Sequence, residues 1–120
     1  MSLHADQSTD VITRFNLAFQ QYTPDALPAL LAEHCVLENT SAGPNGLRHV
    51  GRAACLAVWQ AIAADRGGRF ELEEVIALGD TTLIYWCYHR ISPASSTRGV
   101  NIMRVQDGLI VDARGYVKAG

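Results

Sequence analysis

The sequence predicts an α+β domain in which three N-terminal helices pack on one face of a curved antiparallel sheet. Two observations carry this. Apolar residues recur at helical spacing over the first half of the chain and change to a period of two after the Gly67-Gly68 pair. Helices followed by a run of strands is the order of an α+β domain, not of an alternating α/β one.

The first helix is read from Val11, Ile12, Phe15, Ala18, Phe19 and Tyr22, which make one apolar stripe, with Ser8 or Thr9 as the cap. Thr23-Pro24 then marks a second start, with Leu27, Leu30 and Leu31 as its buried side and Pro28 predicting a short or bent helix. Cys35 to Thr40 reads as a strand and Ser41 to Gly46 as a loop. The third helix follows Gly51 and turns Cys55, Val58, Trp59 and Ile62 to one side. Strands are expected over 69–78, 81–91, 98–106 and 109–118, with Gly79-Asp80 and Asp107-Gly108 as turns and 93–96 as a loop.

The 120 residues fit one domain, read as 1–120, with 48% hydrophobic and 18% charged residues and a net charge of −2. That balance gives no electrostatic footprint for nucleic acid, and no apolar run approaches a membrane span. An odd number of cysteines (Cys35, Cys55, Cys87) and no visible secretory signal predict reduced thiols and a cytoplasmic location. The four histidines (His4, His34, His49, His89) show no zinc-type helical spacing, so no metal is expected. There is neither a phosphate-binding glycine loop nor a nucleophile elbow.

The long strand Leu83-Ile84-Tyr85-Trp86-Cys87-Tyr88-His89 carries large side chains on both parities. One face can lie under the helices. The other needs a cover, which predicts a homodimer through the sheet face. Arg104 and Arg114 would then need carboxylate partners among Glu38, Glu71, Glu73 and Asp112.

Three segments in order resemble the SnoaL-like branch of the nuclear-transport-factor-2-like superfamily. They are the Thr-Pro-Asp-Ala-Leu stretch leading to Cys35-Val36-Leu37-Glu38-Asn39, the Gly51-Arg52-Ala53-Ala54 helix start, and Arg98 to Ile110 ahead of Tyr116-Val117. Ketosteroid isomerases, limonene epoxide hydrolases and polyketide cyclases are relatives. The resemblance implies a cone-shaped, cystatin-like roll with a pocket inside and a dimer outside. Because that fold hosts many chemistries, function rests on the pocket residues.

Against the steroid isomerases, the base position falls on Asn39, the protonated acid on Asn101 and the tyrosine on Phe15. An amide takes no proton at neutral pH, and phenylalanine donates none, so the base and the best oxyanion donor are lost. Against the epoxide hydrolases, Asn39 matches the water-holding asparagine. Arg114-Gly115-Tyr116 matches an Arg-Asp-Tyr run, so one acid falls on Gly115.

The resulting expectation is a small-molecule pocket protein. Phe15, Val58, Trp59 and Met103 would supply apolar wall, and Asn39 and Asn101 two oriented amides. Its ligand would be a small apolar molecule with one or two polar oxygens. Any reaction would be a cofactor-free isomerase, cyclase or hydrolase step; the alternative is a non-catalytic binding or interaction protein. The parity of the long strand stays open. Tyr85 and His89 face inward on one alignment, Trp86 and Tyr88 on the other. His89, if inward, or Glu38, if a bend turns it to the pocket mouth, are the candidate proton carriers.

Overall fold

The computed structural model describes residues 3–39 and 47–118. Helix α1 spans Leu3–Gln20, five residues or so before the expected cap. Ser8, which is buried, and Thr9, whose carbonyl accepts from Thr13 Oγ1 at 2.8 Å, therefore lie within the helix rather than capping it. The helix stops at Tyr22, whose φ of 56° is left-handed, while Thr23 N–H reaches back to Ala18 O at 2.9 Å. This is a C-terminal closure usually made on glycine. Here the Tyr22 hydroxyl, donating to Gly68 O at 2.8 Å, anchors the side chain in place.

The second helix is corrected: it is two 3₁₀ turns, Pro24–Ala26 and Pro28–Leu30. Pro28 supplies no N–H, which breaks the α-helical ladder. Leu27 and Leu30 still point into the core. Strand β1 (Leu31–Asn39) begins four residues ahead of the expected strand. The Thr40 end of that expectation and the loop to Gly46 lie outside the described residues. Strand β2 (Leu47–Val50) is an addition to the expected elements and pairs antiparallel with β1. Helix α2 (Arg52–Ala64) follows Gly51, whose φ of 95° suits glycine.

Strands β3 (Gly68–Leu78), β4 (Thr81–Arg90), β5 (Ser95–Gln106) and β6 (Leu109–Val117) form the meander. Asp107-Gly108, both at positive φ, is the expected two-residue turn. β5 starts at Ser95, not Arg98, because Ser95 already pairs with Arg90. The sheet order is β2-β1-β6-β5-β4-β3. It is not wholly antiparallel: β1 runs parallel to β6, since the chain leaves β1 through β2 and α2 to reach the far edge.

Both α-helices cover one sheet face. Ile12, Phe15 and Phe19 of α1 and Cys55 and Trp59 of α2 bury against Leu37, Ile84, Met103, Ile110 and Ala113. An edge-to-face run of rings passes from Trp59 through Phe15, Phe19 and Phe70 to Trp86, with neighbouring centroids 4.9 to 5.6 Å apart. Tyr88 stacks on Phe70 at 4.6 Å.

Candidate functional site

The helices do not fill the concave face. A cavity of about 570 Å³ remains between them and the sheet, a size ordinary for small-molecule sites. Its orientation follows from β4. Ile84, Trp86, Tyr88 and Arg90 face it in turn, from buried Ile84 to exposed Arg90. The closed end is therefore near Ile84 and the mouth near Arg90, about 20 Å further along the strand at ordinary strand rise.

At the closed end, one row crosses the sheet. Ile84 pairs with Asn101, Asn101 with Gly115, and Gly115 with Asn39. Directly paired residues share a face, so both carboxamides project from the cavity wall with a glycine between them. A Cβ on Gly115 would lie 3.1 Å from Asn101 Oδ1 and 3.8 Å from Asn39 Cβ. The missing side chain is thus the gap that separates the amides. Trp86 Nε1–H donates to Asn101 Oδ1 at 3.1 Å. Because indole nitrogen only donates, this bond fixes which end of the amide is oxygen and leaves the amide nitrogen as the remaining donor. Gly99 lets Trp86 lie flat on the sheet, since a Cβ there would collide with its ring.

At the mouth, Asp65 caps the C-terminus of α2 and accepts Gly67 N–H at 2.8 Å. Its other oxygen lies 3.8 Å from Arg90 Nη1. Burial and then the Asp65 charge push the Tyr88 phenol above its ordinary range. Asp65, Tyr88 and Arg90 are the titratable side chains among the described lining residues.

Of the residues predicted from sequence, Phe15, Asn39, Val58, Trp59, Trp86 and Asn101 line this cavity. Four do not. Met103 is fully buried in the core beyond the closed end. Tyr85 points to the opposite sheet face, where it is 38% exposed, because the inward parity of β4 is that of Trp86 and Tyr88. His89 shares the Tyr85 face, with Nε2 2.9 Å from Glu71 Oε1 and Nδ1 2.9 Å from Ser96 Oγ. Glu38 alternates with Asn39 and pairs across the strands with Arg48 at 3.5 Å. Both candidate proton carriers are therefore outside the cavity.

Asn16, Asp65, Arg90 and Thr97 line the cavity and were not anticipated. Asn16 had a legible signal: it sits within the Ile12–Phe15–Phe19 stripe, where an amide interrupts an otherwise apolar face. Asp65 and Arg90 had none, since they meet only through the packing of α2 beside the β4 end.

The SnoaL-like domain profile matches residues 12–113. The chain belongs to the SnoaL-like domain family. It is 50% identical to an NTF2-like protein of unknown function from Mesorhizobium loti, with a TM-score of 0.93 over 99% of this chain and 97% of that one. A cystatin-like-fold protein of unknown function from Methylobium petroleophilum has a TM-score of 0.82 at 14% identity, covering 100% of this chain and 81% of that one. An LEH-like epoxide hydrolase from M. tuberculosis has a TM-score of 0.75 at 20% identity, covering 94% and 84%. At those two lower identities the likeness is one of fold. No curated protein sequence matches the chain. Among the described residues no helix is long and apolar enough to cross a membrane.

Proposed function

We propose that the chain is a small-molecule pocket protein that binds a largely apolar ligand through one or two oxygens. The observation that carries this is the Asn101–Gly115–Asn39 row at the closed end of an aromatic-walled cavity. Trp86 fixes the Asn101 oxygen, so its amide N–H is the end turned to a ligand, and a ligand oxygen beside these half-buried amides gains a hydrogen bond that a hydrocarbon cannot make.

The same geometry favours a non-catalytic role over an isomerase, cyclase or hydrolase step. No carboxylate or imidazole of the described lining residues shares the amide row. Asp65 stands at the mouth, tied to Gly67 and Arg90. General acid–base catalysis needs a proton carrier within hydrogen-bond reach of the reacting atom.

A homodimer through the outer sheet face belongs to the same reading. Ile76, Leu83 and Ile102 form one apolar row on that face, and Tyr85, Val100 and Tyr116 the next. Ion pairs Arg104–Asp80, Arg114–Asp112 and Arg98–Glu73 flank them. Of the expected arginine partners, Asp112 serves Arg114, whereas Arg104 uses Asp80.

The test is to purify the chain, identify any co-purifying small molecule by native mass spectrometry, and follow it during long incubation. The proposal expects an apolar, oxygen-bearing compound that stays chemically unchanged and is depleted in Asn39→Ala and Asn101→Ala. Conversion of the compound by the wild-type chain would overturn the non-catalytic role. Undiminished retention by both variants would overturn the assignment of the amides.

A further inference from the structure

A second group of chemically distinctive side chains lies on the outer sheet face, away from the cavity. Glu71 of β3 is the cross-strand partner of Cys87 of β4. His89 is two residues further along β4, on the same face. One donor atom from each, a carboxylate oxygen, Sγ and a ring nitrogen, lies within 4.8 Å of the other two. Their spread in sequence conceals this: Glu71 is brought in by strand pairing, not by spacing.

We propose that Glu71, Cys87 and His89 form a binding site for a borderline divalent cation of the Zn²⁺ type. Thiolate, imidazole and carboxylate together are ligands that suit zinc, whereas Mg²⁺ and Ca²⁺ take oxygen alone. Metal–ligand bonds of about 2.0 to 2.3 Å place ligands of a tetrahedral ion a little under 4 Å apart. To reach that spacing the separations, now up to 4.8 Å, would close and the 2.9 Å Nε2–Oε1 contact would open, both small side-chain movements on paired strands.

The hydrogen bonds of His89 support the assignment. Its Nε2 is 2.9 Å from Glu71 Oε1, and its Nδ1 is 2.9 Å from Ser96 Oγ. Without metal, Nε2–H donates to the carboxylate and Nδ1 accepts from the hydroxyl. With metal, the neutral ring carries its proton on Nδ1 and donates it to Ser96 Oγ, so that Nε2 is free to ligate. A serine hydroxyl serves either arrangement. An oxygen that orients the second ring nitrogen is the usual support of a ligating histidine.

The proton and charge balance closes. The Cys87 thiol gives its proton to solvent as Sγ binds, and the imidazole only exchanges tautomers. The two anionic ligands then neutralise the cation. Arg69 lies opposite His89 on β3 and Arg98 opposite Cys87 on β5, with Arg98 held by Glu73 at 3.1 Å. A neutral metal cluster is compatible with these neighbours.

The experiment uses the untagged, reduced and chelator-treated chain, titrated with Zn²⁺ by calorimetry and with Co²⁺ by absorption. The proposal expects one ion per chain and a thiolate-to-Co²⁺ charge-transfer band in the near ultraviolet. Cys87→Ser and His89→Gln should abolish the band or weaken Zn²⁺ binding by about ten-fold or more, and Ser96→Ala by about ten-fold. Cys35→Ser should retain both signals. Absence of saturable Zn²⁺ binding by the wild-type chain would overturn the proposal. So would binding that survives undiminished in Cys87→Ser and His89→Gln.

Discussion

The Trp86 indole N–H and the Asn101 side-chain oxygen, 3.1 Å apart, join a residue of β4 to one of β5 across the cavity wall. They are not direct strand partners: Trp86 pairs with Gly99, and Asn101 with Ile84. The contact is therefore diagonal. It is possible because the ring lies over Gly99, where any Cβ would meet it. One bond thus positions an aromatic wall and selects the hydrogen-bonding end of an amide.

Gly115 separates the two amides, and that gap is where a ligand oxygen would sit. A methyl group there would stand 3.1 Å from Asn101 Oδ1, forcing the amide to move, and a valine would fill the space. The backbone at Gly115 does not use a positive φ, so a strand residue fits it without conformational strain. Gly115→Val is expected to stay folded but with a lower melting temperature, since crowding Asn101 costs about 1 to 2 kcal/mol, and to lower affinity for an apolar ketone by about ten-fold or more, because its methyl groups occupy the gap. Titration of 1-decalone, followed by tryptophan fluorescence, checks this. Unchanged affinity would show that the oxygen does not occupy the gap.

Thr82 is 1% exposed, and its Oγ1 has no hydrogen-bond partner among the described residues. It borders a smaller hollow of about 380 Å³ between α1 and the β3–β4 pair. An unsatisfied buried hydroxyl costs about 1 kcal/mol or more, and a methyl group of similar shape does not. Thr82→Val is expected to stabilise by about 1 kcal/mol, raising the melting temperature by about 4 °C. A lower melting temperature would mean that the hydroxyl holds a water in that hollow.

Cys35 is fully buried on β1, beside Cys55, which donates its thiol to Cys35 O at 3.5 Å. Burial, then the Cys55 thiol and the Asp112 charge, push the Cys35 thiol from its ordinary 9.0 up to about 12. The folded chain therefore keeps a proton that the unfolded chain releases. This contribution is whole below about pH 9 and is lost as pH rises through about 12, on the order of a few kcal/mol in all. Urea unfolding between pH 8 and pH 11 is expected to show an alkaline loss of stability that is smaller in Cys35→Ala. An equal loss in the variant would contradict the buried-thiol account.

The sequence was informative where a local rule acted alone. The 3.6-residue stripe ending at Phe19 gave α1 its buried face, and Asp107-Gly108 announced its turn. It was uninformative where a choice depended on packing. β4 carries large side chains on both faces, so its parity was settled only by the helices lying over Ile84 and Trp86. That one choice moved Tyr85 and His89 out of the cavity and brought Tyr88 and Arg90 in. Strand β2 is too short to announce itself, and Pro28 shortened a helix further than its apolar pattern suggested. Asn39 and Asn101 were legible because family alignment placed them. Asp65 and Glu71 were not, because their partners are fixed by tertiary contact.

The central claim is that Asn39 and Asn101 give the cavity its preference for a ligand oxygen. It is tested most directly by comparing 1-decalone with decalin, its hydrocarbon counterpart, on the wild-type chain and on Asn39→Ala and Asn101→Leu. One net hydrogen bond of about 1.4 kcal/mol corresponds to a ten-fold preference. The account predicts that the ketone binds the wild-type chain about ten-fold more tightly than decalin, and that each variant reduces this preference while still binding decalin. Equal binding of the two compounds by the wild-type chain, or a ketone preference retained in both variants, would contradict it.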